Sequence, residues 1–261
     1  MKYLQDVLKS IIQSSADLNN KMRSIFLEKS QRSHYIFTLQ TLTTLFRHVC
    51  VSIAPDCTKE QLLILWRHEC DWLYGKKLIS QVDVERYQQV FKTVIKKNFN
   101  NTNYLSFLNK QVFFSNLKET ESGIVVAGMH ISNSLASNNK EFTTDGYEPE
   151  TNLIRIRNLI QISLNEYNKE QQRIQFPLYE STLALVGRLC HTIPILGGNC
   201  CIIGDGGLSI FLVQLVASLT GYHIVNFKTS QFLYNEKVFF QQLKHKLVSS
   251  YYRAGIRVSI L

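Results

Sequence analysis

Apolar residues recur every three or four positions through the first hundred residues, the spacing that places them on one face of an α-helix. This pattern predicts four helices in succession, over Asp6–Phe26, Phe37–Val51, Thr58–Leu73 and Ser80–Lys97. The third has an explicit start signal, because Gln61 follows Thr58 at the spacing of a capping box. The first part of the chain is therefore predicted to be a small all-helical unit.

The pattern changes between Asn98 and Gly146, where asparagine, serine and threonine become frequent. Such composition is typical of turns and connections. Within it, the apolar runs Val112–Phe114 and Ile124–Val126 predict two short strands.

From Tyr147 onward, helical spacing alternates with short apolar runs. Helices are predicted over Glu150–Asn168, Tyr179–His191, Leu208–Leu219 and Asn235–Ala254, and strands over Asn199–Ile203, Tyr222–Phe227 and Ile256–Leu261. Strands that alternate with helices in this way indicate a parallel sheet.

The composition indicates packed globular structure and argues against two classes of partner, nucleic acids and membranes. The chain has 261 residues, of which 45% are hydrophobic, enough for one large or two small globular domains. The formal charge of +9 is dispersed in single residues and pairs such as Lys76–Lys77, which is typical of a solvated surface, so we expect no nucleic-acid partner. The longest apolar runs are too short to span a membrane, so we expect no membrane partner.

The six cysteines form no C-x-x-C pair, and free thiols in a reducing compartment are the simplest interpretation. The His68-Glu69-Cys70 run could suggest a metal site. Residues one or two apart on a helix point in different directions, so a structural helix is the favoured interpretation and no metal ligands are predicted. The first six residues lack the apolar core of a secretory signal.

A glycine-rich turn follows the predicted strand ending at Ile203 and precedes an apolar helix, which is where a phosphate-binding Walker A loop lies. Its G-x-x-x-x-G-K-S/T pattern is degenerate here. The candidate nucleotide-binding residues are Gly204, Asp205, Gly206, Gly207, Leu208, Ser209, Ile210 and Phe211.

Three substitutions in this loop remove the chemistry of phosphate binding. Ser209 stands where glycine allows close backbone approach, Ile210 where lysine meets the phosphates, and Phe211 where a hydroxyl meets Mg²⁺. Asp205 adds negative charge, although the start of the helix still offers free N–H groups. We expect binding of ATP or ADP to be weak or lost; taken in isolation, the loop is equally well explained as a tight turn that binds nothing.

Several segments in the same order resemble the dynein heavy chain family. The two most specific are Ser33–Leu42, similar to K-S-H-Y-x-F-N-L-R-D-L, and Gln61–Cys70, similar to L-x-R-L-W-x-H-E-x. Further similar segments are Leu78-Ile79 with Asp83, Val112–Asn116, Leu164–Asn168, and Ile203–Gly207 with Leu215, Ala217 and Gly221-Tyr222. The resemblance covers most of the chain and is thin across 117–144.

The resemblance implies the end of the third and the start of the fourth AAA+ module of a dynein motor ring. The fold class expected is α + α/β, a helical lid followed by a partial P-loop core with a parallel sheet. The corresponding domains are a lid over 1–105, a connecting segment over 106–146, and the first part of the fourth module's α/β core over 147–261.

The resemblance also implies microtubule-based motility, in the cytoplasm and cytoskeleton and specifically in the cilium or axoneme. The implied partners are the other AAA+ modules, dynein intermediate and light chains, and, indirectly, microtubules. Gln40 stands where the family's lid carries a nucleotide-sensing arginine, so that charge is missing. The Walker B carboxylates would lie beyond Leu261, so we predict no catalytic residues and no complete ATPase site in this chain.

Two other hypotheses remain open from the sequence. The chain could be a working P-loop nucleotide-binding enzyme that uses backbone N–H groups and Ser209. It could also be a stand-alone interaction module.

Overall fold

The computed structural model describes residues 5–53, 57–99, 112–120, 123–126, 147–150, 152–170, 177–193, 200–202, 206–220, 222–225, 236–252 and 257–260. The chain divides into two compact units. The first contains residues 1–113 and 149–151, and the second contains 114–148 and 152–261.

The described residues of the first unit form four helices, as their hydrophobic spacing predicts. They are α1 (Gln5–Ile25), α2 (Leu39–Ser52), α3 (Lys59–Leu73) and α4 (Gln81–Asn98), each within about two residues of its predicted bounds. Helix α1 packs against α4, and α2 packs against α3. The chain also makes two short 3₁₀ turns that the pattern did not predict, Ser30–Arg32 and Gly75–Lys77.

The predicted capping box at the start of α3 is confirmed in both of its hydrogen bonds. The Gln61 backbone N–H donates to the Thr58 hydroxyl oxygen at 3.2 Å, and the Thr58 backbone N–H donates to the Gln61 side-chain oxygen at 2.9 Å. Each bond satisfies an N–H that the helix itself leaves without a partner. The same arrangement joins Thr38 and Thr41 at the start of α2.

Large aromatic side chains fill the core of the first unit. Trp66, Tyr74, Tyr87 and Phe91 are all less than 2% exposed, and the Trp66 and Phe91 rings lie 5.4 Å apart. The polar atoms of these rings have partners, as burial requires. The Trp66 indole N–H donates to the Ser15 hydroxyl at 2.9 Å, which ties α3 to α1.

The second unit combines short strands with four further helices. Its helices are α5 (Leu153–Glu170), α6 (Glu180–Thr192), α7 (Gly206–Thr220) and α8 (Glu236–Tyr252). Strand β2 (Leu117–Thr120) pairs antiparallel with β3 (Gly123–Val126), and β5 (Tyr222–Val225) pairs parallel with β6 (Arg257–Ile260). Strand β1 (Phe113–Ser115) pairs with β4 (Glu148–Glu150), and each of these two strands contains a boundary between the two units.

Helix α7 has the central place in this unit, because it contacts α5, α6, β3 and β5. Its apolar residues from Leu212 to Leu219 are almost all buried, which accounts for a helix that is hydrophobic on nearly every side. The parallel pairing of β5 and β6 on either side of α8 confirms the predicted strand–helix–strand order there.

Two predictions in the second unit were wrong in part. A strand was expected over Asn199–Ile203, but its described residues, Cys200–Ile202, are not in a strand. A helix was expected from Glu150, but Glu150 ends β4 and the helix begins at Leu153, where the Asn152 side chain accepts the backbone N–H of Arg155 at 3.1 Å. The short polar strand β4 lacks the apolar alternation typical of strands, so the sequence pattern does not distinguish its last residue from the helix that follows.

Among the helices within the described ranges, none is both long and apolar enough to cross a membrane.

Candidate functional site

The candidate phosphate loop lies at the start of α7, where the described part of the site begins at Gly206. Gly204 and Asp205 lie outside the described residues. The helix starts two residues before the predicted position, Leu208, so the six residues from Gly206 to Phe211 are all helical. The first four backbone N–H groups of a helix have no partner within it, so this end offers N–H donors and a partial positive charge.

Gly207 has room around it. An ideal Cβ at this position would have no atom within 4 Å. A side chain here would therefore meet no steric conflict with the described structure.

The side chains of the first turns form an exposed apolar surface. Leu208 is 50% exposed, Ile210 41% and Phe211 37%, while Ser209 is half-buried. The first turn has no acidic or basic residue. In the described first turns of α7, the groups that could handle phosphate are therefore backbone N–H groups and the Ser209 hydroxyl.

Two exposed thiols precede this turn, Cys200 and Cys201. Cys200 is exposed but still partly surrounded by protein; this partial burial raises the pKa of its thiol, and the positive charge of Arg188, on α6, offsets part of that rise. Arg188 is itself buried. Both cysteines lie in the segment expected to form a strand and are predicted to be free thiols; their exposure is a feature that the sequence does not reveal.

The segment around β1 is held against α6 by buried contacts. The Asn116 side-chain N–H donates to the Cys190 carbonyl oxygen at 3.1 Å, and the Tyr147 ring stacks on the His191 ring with centroids 3.7 Å apart. Burial raises the pKa of the Cys190 thiol to about 12. These groups position the backbone of the second unit; Cys190 is held as an inert, protonated thiol.

Gln40 lies in the first turn of α2, where its side chain is exposed. Its backbone carbonyl accepts the Thr44 hydroxyl at 2.9 Å. It belongs to the helical unit, whereas the phosphate loop belongs to the second unit. An amide at this position carries no charge with which to meet a phosphate.

The segment before Gln40 is fixed by a polar network centred on Asp83, in the first turn of α4. The Asp83 carboxylate accepts the Arg32 guanidinium N–H at 2.7 Å and the Tyr35 hydroxyl at 3.0 Å. The Tyr35 hydroxyl in turn accepts the backbone N–H of Ile79 at 3.0 Å. Tyr35 and Asp83 belong to separate motifs 48 positions apart, and no spacing in the sequence indicates that they meet.

The His68-Glu69-Cys70 run is part of a helix, α3, as predicted. Its Glu69 carboxylate is fully buried and lies 3.0 Å from the Nδ1 atom of His48, on α2. Burial raises the pKa of the Cys70 thiol well above its ordinary value. Within the described residues, no group of three or more histidine, cysteine or acidic side chains is arranged to hold a metal ion.

Comparison with known proteins places these features in a family context. Residues 11–106 match the AAA+ lid domain family. The chain is 24% identical over 256 residues to a ciliary dynein beta chain of Tripneustes gratilla and 23% identical over 257 residues to dynein axonemal heavy chain 17 of Homo sapiens. It is 22% identical over 256 residues to the dynein alpha chain of the flagellar outer arm of Chlamydomonas reinhardtii.

Each of these three matches covers 97% of this chain and 5% of the relative. The chain thus spans about a twentieth of the length of the curated relatives it matches. The helical unit and the second unit both fall within the matched region.

Proposed function

We propose that this chain, which is similar to ciliary and axonemal dynein heavy chains over 97% of its length, forms part of a dynein motor ring, and that its own nucleotide site no longer supports ATP chemistry. On this proposal, residues 1–105 are the lid of the third AAA+ module and residues 147–261 begin the P-loop core of the fourth. The role of the segment is architectural: it carries force and conformational change between modules, and it hydrolyses nothing itself.

The observation that carries the proposal is the pair of apolar side chains, Ile210 and Phe211, exposed on the first turns of α7. In a working loop these positions supply an ammonium group to the phosphates and a hydroxyl to Mg²⁺. Neither hydrocarbon can accept or donate a hydrogen bond. A triphosphate with its metal would therefore lose hydrogen bonds to water beside these side chains and gain none in exchange.

The size of the remaining interactions can be compared with the free energy that nucleotide binding requires. A helix N-terminus contributes about 0.3–1 kcal/mol toward an anion at an exposed site. Millimolar affinity already requires about 4 kcal/mol, and micromolar affinity about 8. The Ser209 hydroxyl adds about 0.5–1.5 kcal/mol as an ordinary hydrogen bond. The helix charge and this hydroxyl alone fall short of millimolar affinity, so any binding would depend on hydrogen bonds from the backbone N–H groups of the helix end.

The names of the relatives supply the setting of the proposal. They are ciliary, axonemal and flagellar dyneins. We propose that this chain acts in the cytoskeleton of the cilium or axoneme, in a complex with dynein intermediate and light chains, and that it acts on microtubules indirectly through the rest of the motor.

A working P-loop enzyme is the second candidate, favoured by the open space at Gly207 and the free N–H groups of the helix end. This hypothesis predicts release of phosphate from Mg-ATP, and it predicts that Gly206→Val abolishes the release by blocking the turn. The proposed function predicts no release above a protein-free control, with Gly206→Val indistinguishable from the wild type.

Co-purification from ciliated cells tests the architectural role. The tagged protein should retain dynein intermediate and light chains when it is washed at about 150 mM salt, the physiological ionic strength. A matched variant, Trp66→Ala, removes the largest buried side chain of the lid unit and should lose them. Recovery of the tagged protein alone would contradict membership of the complex.

A further inference from the structure

Cys200 and Cys201 differ from the other cysteines because they are consecutive and both exposed. Cys70 and Cys190 are buried, and Cys50 is exposed but has no cysteine beside it in sequence. Two accessible thiols on adjacent residues can act together on one ligand atom. No property of the proposed ring segment requires such a pair.

The local backbone permits the two thiols to converge. In a paired strand, consecutive side chains point to opposite faces, which would separate the two sulfur atoms. Cys200–Ile202 are not in a strand, so no ladder of hydrogen bonds imposes that alternation. The failure of the predicted strand is therefore what makes a shared ligand feasible here.

A direct disulfide between them is disfavoured by geometry. Consecutive Cα atoms are about 3.8 Å apart across a trans peptide bond. Disulfides usually join Cα atoms about 4.4–6.8 Å apart, and a shorter span stores strain. A single bridging atom between the two sulfurs lengthens the closed ring and removes that constraint.

The protonation state of the Cys200 thiol also favours a ligand atom that bridges the two sulfur atoms over a disulfide. Burial, offset in part by Arg188, leaves the pKa of the Cys200 thiol raised, so at neutral pH it is a thiol. Thiol–disulfide exchange needs a thiolate and is slowed accordingly. In condensation with an oxide, by contrast, the oxide oxygen takes up both thiol protons and leaves as water. Soft, polarisable sulfur atoms prefer soft centres.

We propose that Cys200 and Cys201 form a bidentate dithiol site for trivalent arsenicals. An organoarsenic(III) oxide, R–As=O, reacts with two thiols to give R–As(S–Cys)₂ and one water. Two As–S bonds form, both thiol protons leave on the arsenical oxygen, and no atom is oxidised or reduced.

The proposal is independent of the ring function. It places a reactive site directly before the exposed turn at the start of α7. An adduct there adds bulk next to Ile202, which is also exposed.

Intact-mass measurement with phenylarsine oxide tests the proposal on the full chain. In the presence of excess glutathione, one adduct should form, with the mass of the arsenical less one water. A single As–S bond exchanges with a monothiol, whereas a two-sulfur adduct resists it. The adduct should therefore persist in glutathione and be removed by the dithiol 2,3-dimercaptopropanol.

Single substitutions identify the two sulfur atoms. C200S and C201S should each lose the glutathione-resistant adduct, and C50S, which removes an exposed thiol elsewhere, should retain it. Unchanged circular dichroism in the two serine variants confirms that the loss is local. A resistant adduct that survives in either variant, or the absence of any resistant adduct in the wild type, would overturn the proposal.

Discussion

The Nδ1 atom of His48 lies 3.0 Å from the Oε2 atom of Glu69, and this buried contact joins α2 to α3. Glu69 is fully buried, so its carboxylate depends on protein partners in place of water. The pair is part of the packing of the first unit, so the His68-Glu69-Cys70 run has a structural role.

We expect Glu69→Ala to lower the free energy of unfolding by about 1–3 kcal/mol, because it removes the acceptor facing His48 and leaves a space in the core. Urea denaturation of the full chain measures this change. Glu60→Ala, at an exposed position in the first turn of the same helix, is the matched control and should change stability by about 0.5 kcal/mol or less. Equal effects of the two substitutions would show that the buried contact carries no stability.

The Tyr35 hydroxyl bridges Asp83 and the backbone of Ile79, so Tyr35→Phe removes two hydrogen bonds at once without changing the ring. The expected loss is about 1–3 kcal/mol, since the Ile79 N–H and the Asp83 carboxylate each lose a partner. Thermal unfolding detects it. Tyr179→Phe, at an exposed tyrosine of the second unit, serves as control; a melting temperature for Tyr35→Phe that matches this control would argue against the network.

Acid should weaken the tie between α1 and α4 at Asp17. Its carboxylate accepts the Lys97 ammonium at 2.8 Å and the Asn98 amide at 3.1 Å, and the Lys97 hydrogen bond is the main cause of a lowered pKa for Asp17. A lowered carboxyl pKa stabilises the fold above the unfolded pKa of about 3.9, and this contribution is lost as pH falls through the folded pKa.

Asp17→Asn should therefore destabilise the chain at pH 7 and have less effect near pH 3. Because Lys97 is largely exposed, the difference at pH 7 should be about 1 kcal/mol or less. Urea midpoints of the variant and the wild type at the two pH values measure it. A gap between them that widens in acid would have the wrong sign for a lowered pKa.

The sequence predicted the described helices and four of the described strands, β1, β3, β5 and β6, but it missed β2 and β4. Helices α1 to α4 have long amphipathic patterns and, in α3, a capping box that fixes the start at Thr58. Strand β4 contains Glu148, Pro149 and Glu150, a composition that disfavours a strand, and it exists because it pairs with β1. The opposite error occurs at Cys200–Ile202, where the apolar composition is typical of a strand but the structure forms none.

The candidate site was predictable only as far as local sequence determines it. The glycine-rich start of α7 and the loss of its lysine and hydroxyl are visible in the order of residues from Gly204 to Phe211. The exposure of Ile210 and Phe211, the proximity of Arg188 to Cys200, and the Asp83 network depend on long-range packing. No periodicity or spacing encodes contacts of that kind.

Calorimetric titration of Mg-ATP into the full chain tests the loss of nucleotide chemistry most directly. A triple variant, S209G with I210K and F211T, restores the phosphate-binding pattern, and a triple alanine variant at the same positions removes the bulk without restoring function. The account predicts no binding tighter than about 1 mM for the wild type and the alanine variant, and measurable binding for the restored loop. Micromolar binding by the wild type would contradict it.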